Sequence, residues 1–224
     1  MYIHIFALYL KTFNTLIGST NKNPTQMKKV LLTFVALGLM ASASIAQTTW
    51  KIDKAHSWVN FQVLHQGLSY VNGSFSKFDA TIETKGKGLD GAKLTANINP
   101  ASVKSGNKRR DDHLKGKDFF NVEKFPKISF ISKKFKKAGK NKFKITGDLT
   151  FHGVTKEVTM NAKKMGSFAG KKGKKVGFVA STTINRYDFG VTWGKDYKTP
   201  NGDAAVAADV KITVNIELSS ANTK

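Results

Sequence analysis

Residues 145–156 read Ile145-Thr146-Gly147-Asp148-Leu149-Thr150-Phe151-His152-Gly153-Val154-Thr155-Lys156. Phe143, Ile145, Gly147, Leu149 and Phe151 alternate with polar residues, which is the period of a strand with one apolar face. Upstream lie Arg109-Arg110-Asp111-Asp112-His113-Leu114, then Phe119-Phe120-Asn121, then Phe125-Pro126-Lys127-Ile128-Ser129-Phe130. A charged helical turn, a Phe pair and a strand ending at His-Gly-Val-Thr form no nucleophile elbow, phosphate loop or metal-ligand spacing. The stretch therefore speaks first for a β architecture and only weakly for catalysis.

The same alternation recurs outward in both directions. Val59, Phe61 and Val63 form one set, Phe78, Ala80 and Ile82 a second, and Leu94, Ala96 and Ile98 a third that Pro100 stops. Ile128 and Phe130 precede the central set, and Val158 with Met160 follows it. Phe178, Ala180, Thr182 and Ile184 come next, and Val210, Ile212, Val214, Ile216 and Leu218 alternate most cleanly. These make about eight strands, punctuated by turns at Gly86-Lys87-Gly88, Asp90-Gly91, Gly139 and Asn201-Gly202-Asp203, as in antiparallel sandwiches and barrels. One helix is predicted, Lys108 to Phe120, with Asn107 as N-cap and Asp111 and Asp112 in its first turns. A closed barrel of this size holds side chains or one small ligand. Small inward residues (Ala80, Ala96, Gly147, Ala180, Thr182) leave volume for a ligand or offset the bulk of nearby Phe, and both readings stay open at this point.

Residues 1–46 are predicted to be a leader. Met27-Lys28-Lys29 is a basic start, Val30 to Met40 an apolar core, and Ser44 and Ala46 a small-residue cleavage signal before Gln47. The apolar core is too short to span a bilayer comfortably. Translation is expected to begin at Met27, and cleavage after Ala46 leaves residues 47–224 as one domain with no transmembrane segment. The chain has no cysteine, so neither a disulfide nor a lipidated Cys holds the exported domain. A periplasmic location follows as the expectation. Four of the 37 Lys and Arg lie in the leader, so 33 stand against 15 acids in the remainder, a net +18. Export argues against nucleic acid as the partner, and the lysines crowd into 133–144 and 163–175 among Gly, Ala and Ser, as at solvated hairpin tips. A patch for acidic polymers or anionic lipid head groups is the alternative.

Of the four histidines in the expected mature chain (His56, His65, His113, His152), no pair has helical i, i+4 or strand i, i+2 spacing. Hydrogen bonding at strand ends accounts for them better than metal binding, although a His-based metalloprotein or enzyme built on His56, His113 and His152 is the rival reading. Ser57 beside His56 is no triad, because neighbouring strand residues face opposite ways. Arg110 and Asp112 are expected to cap and pin the helix. Arg186 shares a face with Thr182 and Ile184. It is expected either to pair with Asp188, Asp148 or another acid, or to hold a ligand oxygen at a barrel mouth.

With these elements placed, the chain resembles the YceI family across Ile52 to Leu218. Its opening strand is Asp53-Lys54-Ala55-His56-Ser57-Trp58-Val59-Asn60-Phe61, followed by Val71-Asn72-Gly73-Ser74-Phe75-Ser76-Lys77-Phe78. Arg110-Asp111-Asp112-His113-Leu114, Phe119-Phe120, Phe125-Pro126, Gly147 to Thr155 and Asn185-Arg186-Tyr187-Asp188-Phe189-Gly190 come in the family's order. The resemblance implies an all-β fold, an eight-stranded antiparallel lipocalin-like β-barrel with one short helix. It also implies a non-enzymatic lipid carrier, with a long isoprenoid or fatty-acyl chain as ligand in an apolar tunnel and no other cofactor or metal. The expected lining is Phe61, Val63, Phe75, Phe78, Phe119, Phe120, Phe130, Leu149, Phe151, Ala180, Ile184 and Phe189, with Arg186 near the polar end. Monomer and homodimer both stay open.

Overall fold

The computed structural model describes residues 47–85, 89–170 and 173–220. The expected leader, Met27 and the Gly86–Gly88 turn lie outside the described residues. Eleven strands form one sheet: β1 Gln47–Ile52, β2 Trp58–His65, β3 Ser69–Phe75, β4 Phe78–Lys85, β5 Lys93–Ile98, β6 Val103–Lys104, β7 Ile128–Lys137, β8 Lys142–Phe151, β9 Val154–Gly170, β10 Gly173–Asn185 and β11 Val206–Ser220. Every pairing is antiparallel, and β11 pairs with β10 on one edge and with both β1 and β2 on the other.

The eleven strands make eight staves. β1 and β2 run in series along β11, with Ile52 opposite Leu218 and Trp58 opposite Asn215. β3 and β4 run in series along β2 and β1, and β6 and β5 along β3 and β4. The remaining staves β7 to β11 follow in chain order, and β11 meeting β1/β2 closes the ring. The barrel is the eight-stranded antiparallel one expected, three of its staves being broken in mid-course.

Two of the breaks have a local cause. Asp53 and Asn99 accept hydrogen bonds from Ala55 N (3.1 Å) and Ala101 N (2.9 Å), capping short 3-10 turns at Lys54–His56 and Pro100–Ser102. Such Asx side chains offer the backbone a substitute for ladder bonds. Pro100 cannot donate at all, so the third stave must leave the ladder there. Ser102 stitches this break to the next: its Oγ accepts from Lys77 N (3.0 Å) and its carbonyl from Ser76 N (3.2 Å).

A bulge in β7 explains a glycine. Phe130 pairs with Leu149 and Phe135 with Ile145, so one extra residue enters between Ser132 and Lys134. The insertion reverses the phase, and Phe135 is buried although it is odd-numbered where Ile128 and Phe130 are even. Gly147 lies opposite Ser132, and a Cβ there would stand 2.4 Å from Ile131 O and 2.7 Å from Ser132 Cα. Gly147 is thus required for close backbone approach; it is not spare volume inside the barrel, as its inward phase had suggested. Gly147→Ala should cost about 1–3 kcal/mol, read as a lower urea midpoint at unchanged m.

The helix α1 spans Lys108–Lys115, five residues shorter than its sequence suggested. Gly116 caps it, donating its N–H to His113 O (3.0 Å), and the chain then coils through turns, with Asn121 at φ 45°. Phe119 and Phe120 therefore stand beyond the helix. Asn107 caps the N-terminus through Arg110 N (3.0 Å), as expected. The acid that pins the helix is Asp111, not Asp112. Asp111 is buried and accepts from Ser105 N (2.7 Å) and Ser105 Oγ (2.6 Å), while Arg110 reaches Ser105 O (2.7 Å). The Ser105 donors hold the Asp111 carboxyl below its ordinary value. Asp112 is exposed and pairs with Lys108 and Lys115.

Candidate ligand-binding cavity

Inside the barrel lies a cavity of about 210 Å³ whose lining is mainly apolar, with Asn60, Asp79, Thr182 and Arg186 presenting no polar surface to it. It arises because all eight staves point small or branched residues inward where a packed core would need larger ones. Ala80 faces Ala96 across β4 and β5, and Ala180 faces Ala162 across β10 and β9. These four alanines and Thr182 line the space. Beside β10, β11 supplies Val210, Ile212, Val214 and Ile216, which line the cavity and are partly buried against the core.

One end is covered by residues from α1 and the turn after it. Leu114, Phe119 and Phe120 all reach the cavity. The Phe120 ring sits 5.6 Å from Phe75, 5.9 Å from Phe151 and 6.3 Å from Phe61, a cluster that ties the turn to three staves. Phe119 packs outside it against Trp193 (5.3 Å) and His113 (5.0 Å). Gly73 lies opposite Phe61, and a Cβ at Gly73 would fall 2.2 Å from the Phe61 ring, so the glycine makes the bed for that ring. At the other end Phe143 packs between Phe135 (5.5 Å) and Phe178 (6.1 Å).

Twelve of the thirteen residues assigned from sequence stand on this wall: Phe61, Val63, Phe75 and Phe78 from the first staves, Phe119 and Phe120 from the cover, and Phe130, Leu149, Phe151, Ala180, Ile184 and Arg186 beyond. Phe189 does not. It follows β10 in a 3-10 turn at Arg186–Phe189, which rotates it out of the strand's phase, and it packs in the core against Phe151 (5.5 Å). The wall also takes residues not assigned from sequence, including Ile82, Phe178 and the β11 set. The β11 alternation was the cleanest in the chain and was the signal for them.

Arg186 fits neither expectation. Its side chain is buried and meets no carboxylate. It donates to four backbone carbonyls instead: Ala207 O from Nε (2.9 Å), Val191 O from Nη1 (2.8 Å), and Trp193 O and Val206 O from Nη2 (2.8 Å each). Tyr187 stacks on the guanidinium, 4.7 Å from Cζ to the ring centre. Burial pushes its pKa down from the ordinary arginine value. Arg186 touches the cavity margin with its stem, and its donors are spent holding the 191–207 segment against β10.

The histidines do not converge. His113 Nε2 lies 2.8 Å from Asp118, and its ring meets Phe119 and Trp193 at right angles. His152 stands in the two-residue β8–β9 turn at φ 51°, stacks on Phe125 (4.6 Å) and has Nδ1 3.2 Å from Phe189 O. Among the described residues, one grouping brings three metal-ligating side chains together, Asp53, His56 and Glu217, and it contains neither His113 nor His152. Lys175 already lies between its two carboxylates, 3.1 Å from Asp53. Its hydrogen bond, more than that of His56, holds Asp53 below the ordinary carboxyl value, and Glu217 and Asp53 raise Lys175. Ser57 is structural too, donating to Asp53 O (2.6 Å) and accepting from Glu217 N (3.1 Å).

Residues 50–218 match the YceI-like domain family. Protein YceI of Escherichia coli O157:H7 is 39% identical over 193 residues, covering 84% of this chain and 97% of that protein. Among solved structures, BcnA of Burkholderia cenocepacia superposes with a TM-score of 0.65 at 28% identity, over 74% of this chain and 98% of that one. A polyisoprenoid-binding domain from Saccharophagus degradans, implicated in plant cell wall breakdown, shares the fold at a TM-score of 0.56 and 14% identity, over 76% and 98% of the two chains.

Proposed function

Since the chain belongs to the YceI-like domain family, we propose that its barrel carries a long isoprenoid or fatty-acyl chain and performs no chemistry on it. The apolar wall of the cavity is the observation that carries this reading. A space lined by Phe, Ile, Val and Ala stays dry when empty, and each methylene moved into it from water gains ~0.8 kcal/mol. Such a site selects for length and apolarity and needs no polar contact in its interior. Arg186, the one cation in its lining among the described residues, has its donors engaged by backbone carbonyls and is not free to hold a head group. The name of the Saccharophagus degradans domain supports the isoprenoid class. The basic start, apolar core and small-residue exit of residues 27–46 support export to the periplasm.

Native mass spectrometry of protein expressed from Met27 and recovered from the periplasm should show a stoichiometric adduct that organic solvent releases as a prenyl or acyl lipid. Protein that emerges without an adduct, and that takes up neither a polyprenyl nor a fatty-acyl probe after delipidation, would end this reading.

A further inference from the structure

We propose that the outer face of β7, β8 and β9, at the end of the barrel away from α1, docks on an anionic lipid bilayer. The observation is one of register. Lys136 lies directly opposite Lys144, and Lys142 directly opposite Lys163, so like charges meet across two successive strand pairs. Such pairs destabilise a sheet when nothing neutralises them. Lys134 extends the row, opposite Thr146. None of these five lysines forms an ion pair among the described residues. The acids of the same face, Asp148 and Glu157, lie toward the α1 end and are taken by Lys133. Asp90 also lies beside β7, where it accepts from the backbone N–H of Lys137 (3.3 Å).

A second observation decides what neutralises the row. A bulge in β9 shifts its pairing with β10, so that Lys164 is opposite Phe178 and Gly166 opposite Gly177, which leaves Met165 unpaired and 59% exposed. Three residues on, Phe168 is 63% exposed opposite Lys175, on the same outward side as Lys163. Met165 stands two residues from the unpaired Lys163, and Phe168 further along the same strand, opposite the ion-paired Lys175. Exposed apolar side chains on a lysine-bearing strand are the composition of surfaces that settle into the head-group region, lysines on phosphates and apolar side chains below them. Single-stranded nucleic acid would also draw the lysines, but it is bound along a groove, and this is the convex outside of a barrel. The charge and the apolar pair together favour the bilayer.

The test uses the full expected mature chain, residues 47–224, and sedimentation with vesicles of phosphatidylcholine alone or mixed with phosphatidylglycerol. Binding is expected only to the mixed vesicles and should weaken steeply as salt rises. Lys136→Gln/Lys144→Gln/Lys163→Gln should lower affinity on the order of a hundredfold, with the fold intact because three repelling charges are gone from an exposed face. Phe168→Ser should lower it on the order of tenfold with the salt dependence unchanged. Ala180→Phe, which fills the cavity, should dock like the unaltered protein. That separates this surface from lipid entering the barrel. Equal binding to both vesicle types, a lysine variant that docks normally, loss of docking in Ala180→Phe, or tighter binding to an oligothymidine than to the mixed vesicles would each overturn the proposal.

Discussion

Ala180→Phe should weaken uptake of a chain lipid on the order of a hundredfold while leaving the barrel folded. Ala180 lies at the middle of β10, paired with Ala162 on one side and Val214 on the other, and its Cβ points into the cavity. A benzyl group there has open space to enter, so the ring takes the place of the ligand without pushing on the wall. Displacing about four methylenes of a bound chain at ~0.8 kcal/mol each weakens binding on the order of a hundredfold. The measurements are a fluorescent acyl-chain titration and a thermal melt. An unchanged melt with weakened uptake is the expected pair of results. A protein that unfolds would show instead that the position is overpacked, for which about 1–3 kcal/mol is usual.

Arg186→Met should have the largest effect on stability. The methionine replaces the length of the side chain but none of its donors, and four carbonyls on the 191–207 segment lose their partner at once. Val191 O and Val206 O are the buried acceptors, and each left unsatisfied costs about 1–3 kcal/mol, so the sum is about 2–6 kcal/mol. Arg186→Lys should recover only part of this, because an ammonium lacks the planar fork that reaches separate carbonyls. Denaturant unfolding reads both variants. Delipidated protein isolates the effect from ligand stabilisation. A loss below ~1 kcal/mol for Arg186→Met would show that water replaces the guanidinium donors and that Arg186 is not the clamp described.

The staves that could be read from the sequence are those whose two faces meet different surroundings along their whole length. β8, β10 and β11 alternate without a break because one side looks into an apolar cavity and the other into water. What could not be read is where the phase changes. The bulge in β7 hid Phe135, and the 3-10 turn after β10 made Phe189 look like a wall residue when it is core. The helix was drawn too long because Lys117-Asp118-Phe119-Phe120 has ordinary helical composition, and only the geometry at Gly116 ends it. The partners of Arg186 were illegible for another reason. They are main-chain carbonyls, two in the irregular stretch after Gly190 and two at the start of β11, and a carbonyl leaves no mark in the residue types. The cavity was foreshadowed by Ala80, Ala96 and Ala180, although the same alanines also suit a packed core, and only the facing residues decide between the two.

The eight-stave order carries a consequence for how the chain folds. Seven of the eight seams join staves that are neighbours in sequence, but the eighth joins the first stave to β11. Until β11 is in place, β10 and β1/β2 each present a bare ladder edge, and the inward-facing apolar residues have no enclosed space to face. β11 supplies both missing edges at once, pairing with β10 from Lys174 to Asn185 and with β1 and β2 on its other side. Closing that loop spans nearly the whole domain, so it is the contact that costs the most chain entropy and is expected to form last. A nascent or partly unfolded chain lacking this seam is an open sheet with two adhesive edges, and its aggregation is governed by how fast one terminal strand finds its place.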